Sequence, residues 1–276
     1  MILSSSILEA GSRTRTRTTR RRALAEVLAC ILILLAPMHT DAAAANELSE
    51  AEIEGRDLAR QLLKLRPAEN YTNTGVLKIR DPKGKRIEIP VESKTIVTET
   101  NWQSIYKATL NNNSNAPGAV KLTVMRDGWK PNQYEIVESF GIVDTLNRVK
   151  SLLGTATMIA FVHSDFWLAD LGLEFLHWPA QKVLKHEMRR GQACKVLEST
   201  NPAPSTNDYS RVVSWIDNDS GGIVHAEAFD AKGKLLKEFD PKEFKKVNGQ
   251  WQLQEMEIRN VQTGSRSRIE FNLESR

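Results

Sequence analysis

A chain of 276 residues that is 41% hydrophobic and 7% aromatic has enough apolar material for one large domain or two small ones, which excludes a disordered chain. Two cysteines exclude a disulfide scaffold, and a single long apolar run, close to the N-terminus, excludes a polytopic membrane protein. Most of the net charge of +4 belongs to the first 45 residues, with six arginines and three acids; the rest carries 32 basic against 31 acidic side chains, a balance that argues against nucleic-acid binding.

The first segment reads as an export signal. Arg13, Arg15, Arg17, Arg20, Arg21 and Arg22 form a basic stretch, Val27 to Met38 is an apolar run too short to span a bilayer comfortably, and Ala42 to Ala45 supply the small residues that a signal peptidase accepts. Cleavage is expected within 43–45, leaving a single domain over 46–276; the alternative is an uncleaved anchor. Thr19-Arg20-Arg21-Arg22 resembles a twin-arginine signal, but an arginine-rich stretch produces such matches by chance. Val27-Leu28-Ala29-Cys30 is rejected as a lipoprotein box, because the apolar run continues past Cys30. Cleavage leaves Cys194 as a lone cysteine, expected to act as a small buried apolar side chain.

Glu47 to Arg66 reads as one amphipathic helix. Ser49 caps it, acids fill its first turn, bases its last, Ile53, Leu58, Leu62 and Leu65 form the apolar stripe, and Pro67 stops it. From Tyr71 the period changes to two, and Asp81-Pro82-Lys83-Gly84 marks a hairpin. Lys94 to Leu110 continues as strand, and Val120 to Met125 pairs with Gln133 to Ser139 as a second hairpin. Val143, Leu146, Val149, Leu152 and Leu153 suit a helix, and the apolar stretch Asp165 to Trp178 a second, with Ser164 as its N-cap. The last third reads as a meander: strands at 183–188, 194–198, 209–216, 224–229, 235–239, 245–247, 251–259 and 267–273, joined by turns such as Arg189-Arg190-Gly191 and Asn248-Gly249. The fold class is therefore mainly β (α+β): a curved, half-open antiparallel barrel whose concave face is covered by helices. No fixed-period repeat points to a propeller.

Catalytic signatures are missing: there is no G-x-S-x-G, no P-loop, no H-E-x-x-H and no dinucleotide-binding glycine pattern. His163, His177, His186 and His225 share no metal-ligand spacing and are each expected at the surface. Asp165 and Asp170, five apart, do not share a helical face and read as a cap plus a solvated acid. Asp217 to Gly222 lacks the distal glutamate of a calcium loop and reads as a turn. Neither an enzyme activity, a metal nor a cofactor is expected. What stands out is apolar: Phe166, Trp167, Leu171, Phe175 and Trp178 crowd one short segment, and Trp102, Tyr106 and Trp215 lie on strands. These eight are the candidate lining of a cavity between sheet and helices; the alternative is that they are ordinary core.

An ordered set of pieces carries a family resemblance. Ser164-Asp165-Phe166 through Asp170-Leu171 is followed by Arg190-Gly191-Gln192-Ala193-Cys194-Lys195-Val196-Leu197-Glu198 and Tyr209-Ser210-Arg211-Val212-Val213-Ser214-Trp215-Ile216-Asp217. Then come Gly233-Lys234-Leu235-Leu236-Lys237, Asn248-Gly249-Gln250-Trp251, Met256-Glu257-Ile258-Arg259-Asn260 and Gly264-Ser265-Arg266-Ser267-Arg268-Ile269-Glu270-Phe271. Over roughly 47–273, and most closely after 160, the chain resembles the LolA-like outer-membrane lipoprotein-sorting proteins of bacteria, with Ser267 where that family often has threonine. The resemblance implies an unclosed barrel with helices over its mouth and a periplasmic carrier. Its cargo would be lipoprotein acyl chains or other lipids, and its partners inner- and outer-membrane sorting components. A binding or sensor module of the same fold, recognising envelope proteins without transport, is the alternative. A carrier has a physical rationale: exposing a sixteen-carbon tail to water costs on the order of 12 kcal/mol, at about 0.8 kcal/mol per CH₂.

Overall fold

Alternation of buried and exposed side chains organises the molecule. The computed structural model describes residues 47–110, 118–139, 148–247 and 250–273. The leader at 1–45, Val143, Leu146 and the Asn248-Gly249 turn lie outside the described residues. Helix α1 (Glu50–Lys64) is followed by strands β1 (Tyr71–Arg80), β2 (Arg86–Val97), β3 (Trp102–Leu110), β4 (Gly118–Arg126), β5 (Gln133–Ser139) and β6 (Arg148–Leu152). A 3-10 turn (Gly154–Thr157), the short helix α2 (Leu168–Gly172) and a second 3-10 turn (Glu174–His177) come next. The chain continues with β7 (Ala180–Arg189), β8 (Gln192–Thr200), β9 (Tyr209–Asp217), β10 (Ile223–Asp230), β11 (Leu235–Val247), β12 (Gln250–Asn260) and β13 (Arg266–Asn272).

All the strands belong to one sheet, ordered β6-β5-β4-β3-β2-β1-β13-β12-β11-β10-β9-β8-β7. Each half is an antiparallel meander, and the halves join where β1 pairs with β13, Leu77 opposite Ile269. β6 and β7 are its edges, so the barrel is not closed. In a flat sheet β5 and β12 would lie roughly 30 Å apart, at about 4.8 Å per strand. Yet Tyr134 and Ile136 of β5 and Met256 and Ile258 of β12 share one core cluster with Phe161, Phe166, Leu168 and Leu171. The sheet therefore curves around the 158–178 segment, which plugs its concave face. A second cluster joins Leu58 and Ala59 of α1 to Phe175, Leu176, Trp178 and Tyr209.

The capping box of α1 forms as its sequence implies: Ser49 Oγ accepts from the Glu52 N–H, and the Ser49 N–H donates to Glu52 Oε2 at 2.9 Å. The helix lies along edge strand β7 so closely that a Cβ on Gly55 would sit 2.5 Å from the Lys182 nitrogen. The expected stripe is only partly used; Ile53 and Leu65 stay about half exposed.

Five sequence expectations are corrected. The helix expected from Val149, Leu152 and Leu153 is strand β6 followed by a 3-10 turn, with Val137 opposite Val149. An edge strand is half exposed, and its apolar residues, spaced by three, imitate a helical period. The helix expected over 165–178 is one short helix and one 3-10 turn. Val162, His163 and Leu173 have positive φ, and Leu173, at φ 54°, ends α2 in the left-handed region. Ser164 is not the helix cap: its Oγ closes a turn by accepting from the Phe166 N–H, and the Asp170 carboxylate accepts from the Trp167 N–H at the start of α2. Lys94–Leu110 is two strands, folded back at Thr98–Asn101, whereas 235–239 and 245–247 belong to one long β11 that passes Pro241 with irregular register. Proline has no N–H to give the ladder, so a bulge accommodates it.

His225 is not at the surface. It is buried, with Nδ1 2.8 Å from Asp240 Oδ1 and its ring edge-on to Trp215 at 5.0 Å. The imidazole beside it holds the Asp240 carboxyl down, to about 2. Cys194 is buried, as expected.

On the outer face the register aligns Arg86, Arg80, Arg266 and Arg259 side by side on four neighbouring strands. All four are exposed. The next row is paired, with Lys78 on Glu270 and Arg268 on Glu255 and Glu257; among the described residues the arginine row has no such partners. Like charges directly opposite one another destabilise a sheet by a few tenths of a kcal/mol or more per pair. Arg266→Thr, in the middle of the row, is therefore expected to raise the urea midpoint at low ionic strength. The gain should vanish in 1 M salt, where the screening length is about 3 Å; a gain that persists there would not be electrostatic.

Candidate functional site

Between the concave face and the 166–175 segment lies a cavity of about 420 Å³. That is within the range of about 300–1,000 Å³ usual for small-molecule sites. Its walls come from β1, β3, β4 and β9 to β12, and Phe166, Leu171, Leu173 and Phe175 form its roof. Most of this surface is hydrocarbon, because every second residue of each strand points inward and most of those residues are apolar.

Of the eight candidate residues, Trp102, Tyr106, Phe166, Leu171 and Phe175 line this cavity. Trp167 stands behind the wall, stacked on Tyr209 with ring centroids 4.4 Å apart. Trp178 is buried in the second cluster, edge-on to Phe175 at 6.5 Å. Trp215 lies on the opposite face of β9, where its indole N–H donates to Glu187 and the Arg189 guanidinium sits 4.4 Å from its ring. Sequence reasoning missed the polar residues of the cavity, Arg126, Asp170, Tyr209 and Lys237.

Asp170 is not the solvated acid expected from the sequence. Its carboxylate accepts from the Tyr209 hydroxyl at 3.0 Å and lies 3.6 Å from Lys237 Nζ. Lys237 also donates to the Asp165 carbonyl at 2.7 Å and sits 3.6 Å above the Trp167 ring. Ser265 and Ser267 hydroxyls hold the Asp165 carboxylate at 2.6 and 2.8 Å. Burial pushes Asp170 above the usual carboxylate range and brings Lys237 down to about 8. The four elements α2, β9, β11 and β13 thus converge on one internally matched polar cluster.

At the other side of α2, Arg126 donates to Ser104 Oγ at 3.0 Å and to the Leu171 carbonyl at 3.1 Å, with its guanidinium 4.3 Å from the Trp102 ring centre. Behind the roof, Asn132 donates to the Gly172 carbonyl at 2.9 Å, and the Tyr134 hydroxyl donates to Glu174 at 2.9 Å. Only glycine fits at 172, since a Cβ there would fall 1.9 Å from the Tyr134 hydroxyl oxygen. Burial raises Glu174 to about 7 and lowers His177 to about 4.

Among the described residues, no group of three or more His, Cys, Asp or Glu side chains could hold a metal ion, and no helix is long and apolar enough to cross a membrane. The arrangement can take an apolar chain out of water and present it with two polar walls, one self-neutralised and one cationic.

A family model described as an uncharacterized protein matches residues 140–273. No curated protein matches the sequence. Among solved structures, the chain is similar to a DUF1329 family protein from Desulfovibrio piger, at TM-score 0.64 and 18% identity over 81% of this chain and 92% of that one. A putative outer membrane lipoprotein-sorting protein domain from Vibrio parahaemolyticus gives TM-score 0.64 and 18% identity over 80% and 92%. A LolA superfamily protein from Nitrosomonas europaea gives TM-score 0.53 and 14% identity over 83% and 94%. The half-open barrel is thus the LolA-like fold that the sequence resemblance implied.

Proposed function

We propose that the protein is a periplasmic carrier that takes the acyl chains of lipoproteins or other lipids into the cavity and moves them toward the outer membrane. The observation that supports this most is the largely hydrocarbon space of about 420 Å³ under the Phe166–Phe175 roof. Burying each methylene of a chain there recovers about 0.8 kcal/mol, so binding needs no catalyst. The arginine-rich segment at 1–45 supports export, with 46–276 as the carrier domain. Membrane components that load and unload the chain are its natural partners.

Native mass spectrometry of the protein purified from its own envelope, with extraction of what co-purifies, tests the reading. Stoichiometric lipid or acylated protein is expected. Leu253→Asp, a half-buried position on the cavity wall, should lower uptake of a fluorescent acyl probe at least tenfold while the melting midpoint shows the variant still folded. A clean apo mass together with no probe uptake would make the cavity plain core and favour a partner-binding module.

A further inference from the structure

We propose that the cavity selects an acyl chain bearing a single anionic head, a carboxylate or a phosphate monoester, and that Arg126 receives that head. This rests on the cavity being an acyl site and goes further by naming the chemistry of the ligand's polar end.

The two cations of the cavity differ in their surroundings. Lys237 has Asp170 at 3.6 Å. Arg126 has no carboxylate within 4.0 Å among the described residues; its two protein acceptors, Ser104 Oγ and the Leu171 carbonyl, are both neutral. A guanidinium presents five N–H donors in a rigid fork, so three remain for a ligand. It also stays protonated although burial weighs against the charge. The acid whose field reaches it, Glu174, is tied to Tyr134 behind the roof and does not line the cavity.

The neighbours of Arg126 also suit an anion. Ser104, Tyr106 and Tyr71 line the same cavity and bring hydroxyls to its side, and hydroxyls donate to carboxylate and phosphate oxygens at short range. The Trp102 ring, with its centre 4.3 Å from the guanidinium carbon, adds a cation–π contact on one side. The site therefore offers one oriented fork, three hydroxyls and an adjoining hydrocarbon wall. An acyl chain with a neutral head would leave the cation without a counter-charge; a chain with one anionic oxygen pair completes it in the bidentate manner that arginine favours.

The test compares three ligands with one chain length: palmitate, hexadecyl phosphate and hexadecanol. Each displaces a neutral fluorescent acyl probe from the delipidated protein. At least one of the two anions is expected to bind tenfold or more tightly than hexadecanol, and palmitate against hexadecyl phosphate tells the carboxylate source from the phosphate source. Arg126→Gln should erase most of that preference, and Arg126→Lys, which keeps the charge, should restore part of it. Equal affinity of all three ligands for the wild type overturns the inference while leaving the acyl site intact. So does an Arg126→Gln variant that weakens anions and alcohol alike, because that is the mark of a purely structural arginine. Failure of every ligand, the probe included, overturns the acyl-site reading itself.

Discussion

Lys237→Met is expected to cost about 4 kcal/mol of folding stability at pH 7. The lysine side chain is 4% exposed, and it is the cation that faces Asp170. Removing one member of a buried pair leaves the other charge uncompensated, which typically costs about 3–5 kcal/mol. A cheaper route caps the loss: Asp170, already pushed upward by burial, can take a proton. Neutralising a carboxyl of unperturbed pKa about 3.9 costs about 4 kcal/mol at pH 7 and about 1.5 kcal/mol at pH 5. The penalty should therefore shrink as the solution is acidified. Adding Asp170→Asn, which removes the charge and keeps an acceptor for the Trp167 N–H and the Tyr209 hydroxyl, should recover most of it at pH 7, since no uncompensated buried charge then remains. Urea titrations of wild type, both single variants and the double variant at the two pH values check this. A pH-independent penalty, or strictly additive losses, would mean that Lys237 contributes through its packing on Trp167 rather than through its charge.

That cluster also shows where the sequence stops being legible. The strands are readable because one face is core and the other water, so Leu77 and Ile79 alternate with Lys78 and Arg80, and because turn chemistry such as Asp81-Pro82-Lys83-Gly84 punctuates them. The roof is readable as apolar but not as to shape: its breaks come from positive φ at Val162, His163 and Leu173, and valine and leucine are not residue types that announce a left-handed turn. Among the candidate residues, the aromatics of β3 and of the roof face the cavity, while Trp215 does not. On β9 the run Val212 to Ile216 is buried on both faces and, Ser214 apart, apolar, so alternation alone cannot say which face is concave. The polar members were invisible for another reason. Arg126, Asp170, Tyr209 and Lys237 come from four separate elements, and a lone charge in a sequence looks like a solvated one until the fold shows what surrounds it.

Glu174 carries the same lesson into pH dependence. Its carboxyl is buried, accepts from the Tyr134 hydroxyl and is raised from 4.5 to about 7. Between those two values the unfolded chain has lost the proton and the folded chain still holds it. Unfolding then releases a proton, so stability falls as pH rises through the window. The total change is about 3 kcal/mol, complete once pH exceeds the folded value. Below 4.5 both states are protonated and nothing is lost. Glu174→Gln removes the titration, keeps an acceptor for Tyr134, and should gain about 3 kcal/mol relative to wild type between pH 4.5 and pH 8, whatever its offset at acid pH. Paired urea titrations across that range decide the matter, and a wild-type-minus-variant difference that stays flat would mean that folding leaves the Glu174 carboxyl unshifted. Because Asn132 holds the Gly172 carbonyl and Tyr134 holds Glu174, the lost stability should be local. Amide exchange over residues 168–177 should quicken above pH 7 in the wild type, after correction for intrinsic rates, and much less in the variant. The roof of the cavity would then loosen with rising pH while the sheet beneath it stays closed.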